Sequence, residues 1–281
     1  MRKVAVAVAQ GLICVVGGIA ALAATAIGQT ATPKPLSVLS CGAGQRIVIA
    51  ASPVKSPNAA GVYKHSGSSG VSGPGLVGII IRLVDPPRFD DVTPEFKTAI
   101  GAVLDPVDLR QLLLARAEQV IKPRTSCETV FLPVTWEGEE PAAFRPSDRV
   151  VAISLSFLFI GERPAITALL AVSVTTGENI AETDKRAPEI RKIVEEINQL
   201  KPYFPVYNKQ PDVAKLTQLA ALTQKIVAIV MPYVDQSGTV NYKSRGHSTK
   251  EWLANRGALT TQEIAAAMDR LMDDLAGILF K

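Results

Sequence analysis

The chain has 281 residues, 47% of them hydrophobic and 20% charged, which is too apolar for a disordered chain and enough for a sizeable core. Thirty Lys and Arg against 26 Asp and Glu give a formal net charge of +4, too small and too dispersed for a nucleic-acid-binding surface. Two His and three Cys leave little from which to build a multi-ligand metal site, and no cofactor is expected.

Met1-Arg2-Lys3 is a short basic segment. It is followed by a run, Val4 to Val16, that is apolar apart from Gln10 and Gly11. Gly17-Gly18 and the small residues from Ala20 to Ala26 come next, and Ala24-Thr25-Ala26 fits an A-x-A cleavage site. Residues 1–26 therefore read as a secretory signal. The competing reading is an uncleaved inner-membrane anchor over residues 4–26, which carry no charge and are long enough to span a bilayer. Either reading places the rest of the chain outside the cytoplasm, with the periplasm as the expected compartment. There, Cys41 and Cys127 are expected to form a structural disulfide. The alternative, a nucleophilic Cys, needs a base, and His65 and His247 both sit in loop-like sequence.

Residues 27–45 form a polar, Pro-containing lead-in. A domain is expected over 46–232. It opens with a strand, Arg46 to Ala51, stopped by Ser52-Pro53. A Gly/Ser-rich loop covers 56–75, and a second, near-continuously apolar strand covers Leu76 to Val84. Thr93-Pro94-Glu95 starts a helix, and Asp105-Pro106 restarts it with an apolar stripe from Leu109 to Ile121 that Pro123 stops. Thr129 to Trp136 is a strand containing Pro133, so it belongs at a sheet edge. Arg149 to Thr175 carries the strongest signal. Val151, Ile153, Leu155, Phe157 and Phe159 alternate with small residues, a turn follows at Gly161 to Pro164, and Ile166, Ala168, Leu170, Val172 and Val174 alternate on the return. This spacing predicts a long antiparallel hairpin with one apolar face, closed by Thr176-Gly177-Glu178.

Helices are expected over Pro188 to Leu200 and from Asp212 to Val230. Residues 233–258 read as a polar connection. Thr260 and Glu263 have capping-box spacing and open an amphipathic helix over 259–281. The fold class this predicts is α+β: a mostly antiparallel sheet with a long central hairpin, helices packed on one face, and a C-terminal amphipathic helix.

Candidate chemistry is sparse. Ser66 to Gly75 lacks the GK[ST] and the following helix of a phosphate loop. Glu137, Glu139 and Glu140 read as a solvated loop. Ser66 beside His65 and Ser248 beside His247 do not make a triad by adjacency. No catalytic or metal residues are assigned. Residues 243–256 carry Lys243, Arg245, Lys250 and Arg256 around Trp252, with Glu251 as the one acid. Such a loop can meet anionic headgroups or a partner. Its plain reading is a solvated loop with Trp252 packed on the core.

An exported strand ending in Ser-Pro, a helix, a long hairpin running into Thr176-Gly177-Glu178, and closing helices together resemble the small α/β domains of bacterial envelope assembly proteins. The auxiliary periplasmic components of ABC-type lipid transporters and curli-type secretion lipoproteins are examples. The resemblance covers about residues 45–232 in pattern and carries over no functional residue. The signal, the lack of a catalytic constellation and the apolar stripe of the last helix point to a non-catalytic exported envelope protein that binds or helps assemble a periplasmic or membrane-associated partner. The partner is expected to be an envelope protein or a second copy docking through the 259–281 helix, with the membrane surface as a further contact. The alternative from a different class is an exported hydrolase with an unrecognised site.

Overall fold

The hairpin is the centre of the structure, a computed structural model that describes residues 33–42, 44–52, 54, 94–134, 144–160, 163–200 and 213–280. The predicted signal, the 56–75 loop, the 76–84 strand, His65 and the 137–140 acids lie outside the described residues. Six strands form one sheet: β1 (Lys34–Pro35), β2 (Arg46–Ala51), β3 (Glu128–Pro133), β4 (Arg149–Ile160), β5 (Ala165–Thr176) and β6 (Gln236–Lys243), in the order β1-β6-β5-β4-β2-β3. The described helices are α1 (Pro94–Leu104), α2 (Leu109–Ile121), α3 (Gly177–Lys185), α4 (Ala187–Leu200), α5 (Val213–Val230) and α6 (Thr249–Leu279).

β4 and β5 pair antiparallel over their full length, with Leu155 opposite Leu170. The alternating residues identified from sequence all face inward and are buried. The sheet as a whole is mixed, which corrects the expectation of a mostly antiparallel one. β2 runs parallel to both β3 and β4, β1 runs parallel to β6, and only β4–β5 and β5–β6 are antiparallel. The short turn after β4 returns β5 antiparallel, whereas α1 and α2 lie between β2 and β3 and bring β3 back parallel to β2. β2 carries the signature of such a strand: Ile47, Val48, Ile49, Ala50 and Ala51 are apolar in succession and buried on both faces. β3 lies at the edge, as Pro133 predicted.

The helix layer also differs from the one-face expectation. α1, α2 and α6 cover the inner face, where Phe96, Leu113, Met268 and Leu275 pack on Ile49, Ile153 and Leu170. α3 lies on the opposite face, with Ile180 against Val48, Ala50 and Val150. α4 and α5 share a smaller core of their own. Thr176-Gly177-Glu178, which closes the hairpin, also starts a helix that the sequence did not show: Thr176 is the N-cap of α3 and its side chain accepts from the Asn179 N–H. The N-cap of α2 is Asp108, not Asp105: its carboxylate accepts from the Gln111 N–H at 2.9 Å.

The largest departures fall in the expected 233–258 connection and 259–281 helix. β6 and the start of α6 lie inside that connection. The helix begins at Ser248, whose side chain and Glu251 form the capping box. Thr260 instead donates its hydroxyl to the Trp252 carbonyl at 2.8 Å. The stripe expected to be spare for a partner or a second copy is buried in the protein's own core, with Ile264, Met268, Leu271, Leu275 and Leu279 at 0–1% exposure.

Two polar features fix the end of the sheet where β2 and β4 begin. Arg46 Nε and Nη2 donate to Asp148 Oδ1 and Oδ2 at 2.7 and 2.9 Å, and Asp148 is fully buried. The Arg145 amide donates to Asp148 Oδ2 at 2.7 Å. Burial acts to raise the Asp148 carboxyl, but the Arg46 fork and the Arg145 amide outweigh it and hold it below the ordinary carboxylate value. Beside this junction, Arg149 pairs with Asp235 at 2.8 Å. Cys41 and Cys127 are disulfide-bonded, as expected, with Cα atoms 6.3 Å apart and 86 residues between them in sequence. The bond ties the lead-in to the segment entering β3. A structural disulfide suits an oxidising location outside the cytoplasm.

Leu155→Ala should cost about 2–5 kcal/mol in urea unfolding, because a side chain central to the buried face is lost and a cavity remains. Asp184, at the end of α3, has a buried Oδ1 with no hydrogen-bond partner among the described residues, and burial pushes its carboxyl up to about 6. A raised carboxyl stabilises the fold below its unfolded value, and that contribution is lost as pH rises through 6. Asp184→Asn should therefore raise stability at pH 7.5 by about 1 kcal/mol, allowing for solvent screening, and change it little at pH 4.

Candidate functional site

The residues singled out from sequence gather where the hairpin tip meets the start of α6. Loop 244–248 is pinned to the tip by main-chain bonds. The Ser244 N–H donates to the Ile166 carbonyl at 2.9 Å and the His247 N–H to the Pro164 carbonyl at 3.0 Å. Ser244 Oγ accepts from the Ile166 N–H and donates to the Arg245 carbonyl, each at 2.9 Å. At Gly246 a Cβ would stand 2.5 Å from the Arg163 carbonyl oxygen, so only glycine allows this approach.

Trp252 is the anchor of this corner, which corrects its assignment as a headgroup or partner contact. It is fully buried. Its Nε1–H donates to the Pro164 carbonyl at 2.7 Å. Its ring meets Phe159 and His247 edge-on, with centroids 5.4 and 5.1 Å away. Below it the helix is interrupted: Asn255, Arg256 and Gly257 all have positive φ. Gly257 is required there twice over, by its φ of 77° and because a Cβ would come within 2.5 Å of Val103. The left-handed segment lets the first turn seat Trp252 while the rest of α6 lies along the sheet.

The four cations remain at the surface. Lys243, Arg245, Lys250 and Arg256 are exposed, and among the described residues none of them has a carboxylate partner. The local acids are engaged elsewhere. Glu251 accepts from the Ser248 hydroxyl at 2.7 Å and the Ser248 amide at 2.6 Å, which hold it below the ordinary carboxylate value. Glu263 accepts from the Tyr242 hydroxyl at 2.9 Å, and burial with this bond pushes Tyr242 up to about 12. The corner is therefore electropositive.

The arrangement does not assemble a nucleophile. Ser248 Oγ donates to Glu251 and accepts from its amide, which is capping geometry. His247 Nδ1 stands 4.0 Å from Glu251, beyond hydrogen-bond reach. Among the described residues, no three His, Cys, Asp or Glu side chains gather as a metal site.

The part of the corner that the sequence reading missed is β6. It joins β5 along 236–243 but meets β1 only at Gln236 and Ser237, so its outer edge from Gly238 to Lys243 has no strand beside it among the described residues. The signal was there in the alternation Thr239-Val240-Asn241-Tyr242-Lys243. Val240 and Tyr242 turn inward, and Thr239, Asn241 and Lys243 are exposed. No protein-family model, curated protein or solved structure matches this chain.

Trp252→Phe removes the donor to the Pro164 carbonyl while keeping most of the ring. It should lower stability by about 1–3 kcal/mol; Trp252→Ala should cost about 3–5 kcal/mol, both read from urea unfolding.

Proposed function

We propose that the protein is a non-catalytic, exported envelope protein that binds or helps assemble a periplasmic or membrane-associated partner through the hairpin-tip corner. The observation that carries this reading is the set of exposed cations without carboxylate partners, fixed on a rigid support beside an open strand edge. Scattered surface lysines on mobile loops would point nowhere. Here main-chain bonds, a buried Trp and a glycine without room for a side chain hold the cations in place, as recognition surfaces require. The disulfide supports an exported location, and residues 1–26 supply the signal that would take the chain to the periplasm. Among the described residues, no helix is long and apolar enough to cross a membrane.

The test is mild crosslinking in the native envelope, comparing the wild type with a variant carrying Arg245→Glu, Lys250→Glu and Arg256→Glu. The wild type should enter a discrete complex that the variant loses, while both unfold at the same urea concentration. Intact mass of the same material should lack Met1 to Ala26. A complex unchanged by charge reversal would contradict the assignment of this corner.

A further inference from the structure

The geometry points to β6 as a strand-addition edge that takes an extended acidic peptide segment of a protein partner; this inference rests on the binding role proposed above. The Ser244 N–H bonds to the Ile166 carbonyl, and the Lys34 N–H bonds to the Asp235 carbonyl from the opposite side. In an antiparallel ladder successive residues direct their main-chain groups to alternate sides. Even-numbered residues of β6 therefore serve β5, and Thr239, Asn241 and Lys243 direct their N–H and C=O groups to the open edge.

That edge already accepts a strand at one end. β1 pairs with it in parallel at Gln236 and Ser237. Leu36 then lies over Gly238, where a Cβ would be 2.9 Å from its Cδ1. The chain leaves the edge there, since the Leu39 N–H donates to the Leu279 carbonyl at 2.8 Å. The two edges of the sheet are not treated alike. β3 opens with Glu128 and closes with Pro133, both of which discourage pairing. β6 contains no proline. Unpaired main-chain groups in a row are a template for an added strand.

Charge selects the occupant. Lys34 lies at one end of the open segment and Lys243 and Arg245 at the other. All three are exposed, and none has an ion-pair partner among the described residues. An extended peptide with Asp or Glu at alternate positions presents carboxylates to these cations while its main chain pairs with β6. A second copy of the chain would bring the same cations together.

The experiment selects a phage-displayed random decapeptide library on the full chain and measures synthetic versions of the enriched peptides by fluorescence anisotropy. Peptides with alternating acidic residues should be enriched. Asn241→Pro, which removes an edge-facing N–H, should weaken them about tenfold or more at unchanged thermal stability. Should that variant unfold, N-methylation of alternate peptide amides gives the same reading on wild-type protein: binding is lost on one register of methylation and kept on the other. Enrichment of neutral or basic peptides, or binding indifferent to both changes, would overturn the inference. So would a wild-type dimer in sedimentation that Asn241→Pro abolishes, because the edge would then belong to a second copy. No enriched peptide, with the native-envelope complex still forming, overturns this inference and leaves the proposed function standing.

Discussion

Parallel pairing of β2 with β4 is the joint between two differently built halves of the sheet. On one side β4, β5 and β6 form an antiparallel unit whose register is set locally by the hairpin. On the other, β2 and β3 are joined by a helical crossover. No turn connects β2 to β4, so their register must be fixed by something that recognises both. The Arg46–Asp148 fork does this across 102 residues of sequence. The same carboxylate accepts the Arg145 amide, and the Asp148 carbonyl accepts the Gly177 N–H that begins α3. A Cβ at Gly177 would lie 2.0 Å from the Arg145 carbonyl oxygen, so the turn and the helix start are fitted closely to each other. One buried residue, Asp148, thus joins a strand start and a turn through its carboxylate and a helix N-terminus through its carbonyl. Desolvating two ions largely cancels their attraction, so the fork's value lies in allowing one register rather than in net stability.

From that joint the sheet runs to a second organised point at the hairpin tip. There Trp252 and the main-chain bonds of loop 244–248 seal the inner core. The two ends have different physical character. At the joint, charges are paired: Arg46 with Asp148, and Arg149 with Asp235. At the tip, the cations are exposed and the nearby acids are taken up by a helix cap and a tyrosine hydroxyl. The fold therefore neutralises charge where register is set and leaves it uncompensated where an edge is open. That contrast is the physical basis of the binding reading.

Legibility of the sequence followed the range of the interactions. The hairpin was legible because its signal is local: ten alternating apolar positions and a turn. The disulfide was legible because only two cysteines follow the N-terminal segment in an oxidising setting. The mixed sheet was not, because parallel pairing depends on how the connections cross, and Arg46 and Asp148 give no sign of each other in the chain. α3 was hidden because Thr-Gly-Glu-Asn suits both a turn and a helix start, and its burial against Val48 and Val150 decides between them. β6 was obscured by Ser237-Gly238 and by the lysines and arginines around it, which read as solvated loop until β5 supplies a partner. The cations at 243–256 were legible as a group. The burial of Trp252 was legible only as the plainer of two readings, because its partner Pro164 lies 88 residues away.

The register role of the fork is most directly tested by a double-mutant cycle of Arg46→Met and Asp148→Leu, followed by urea unfolding at pH 7. Arg46→Met leaves the fully buried Asp148 carboxylate without its guanidinium and should lose about 3–5 kcal/mol. Asp148→Leu should lose less, because Arg46 is 14% exposed and keeps Glu128 opposite it on β3. The double variant should recover much of that loss, giving a large coupling between the two sites, while amide exchange along β2 and β4 becomes faster than in the wild type because the register is less firmly held. Single losses below about 1 kcal/mol that simply add, with β2 and β4 exchanging as in the wild type, would contradict the account.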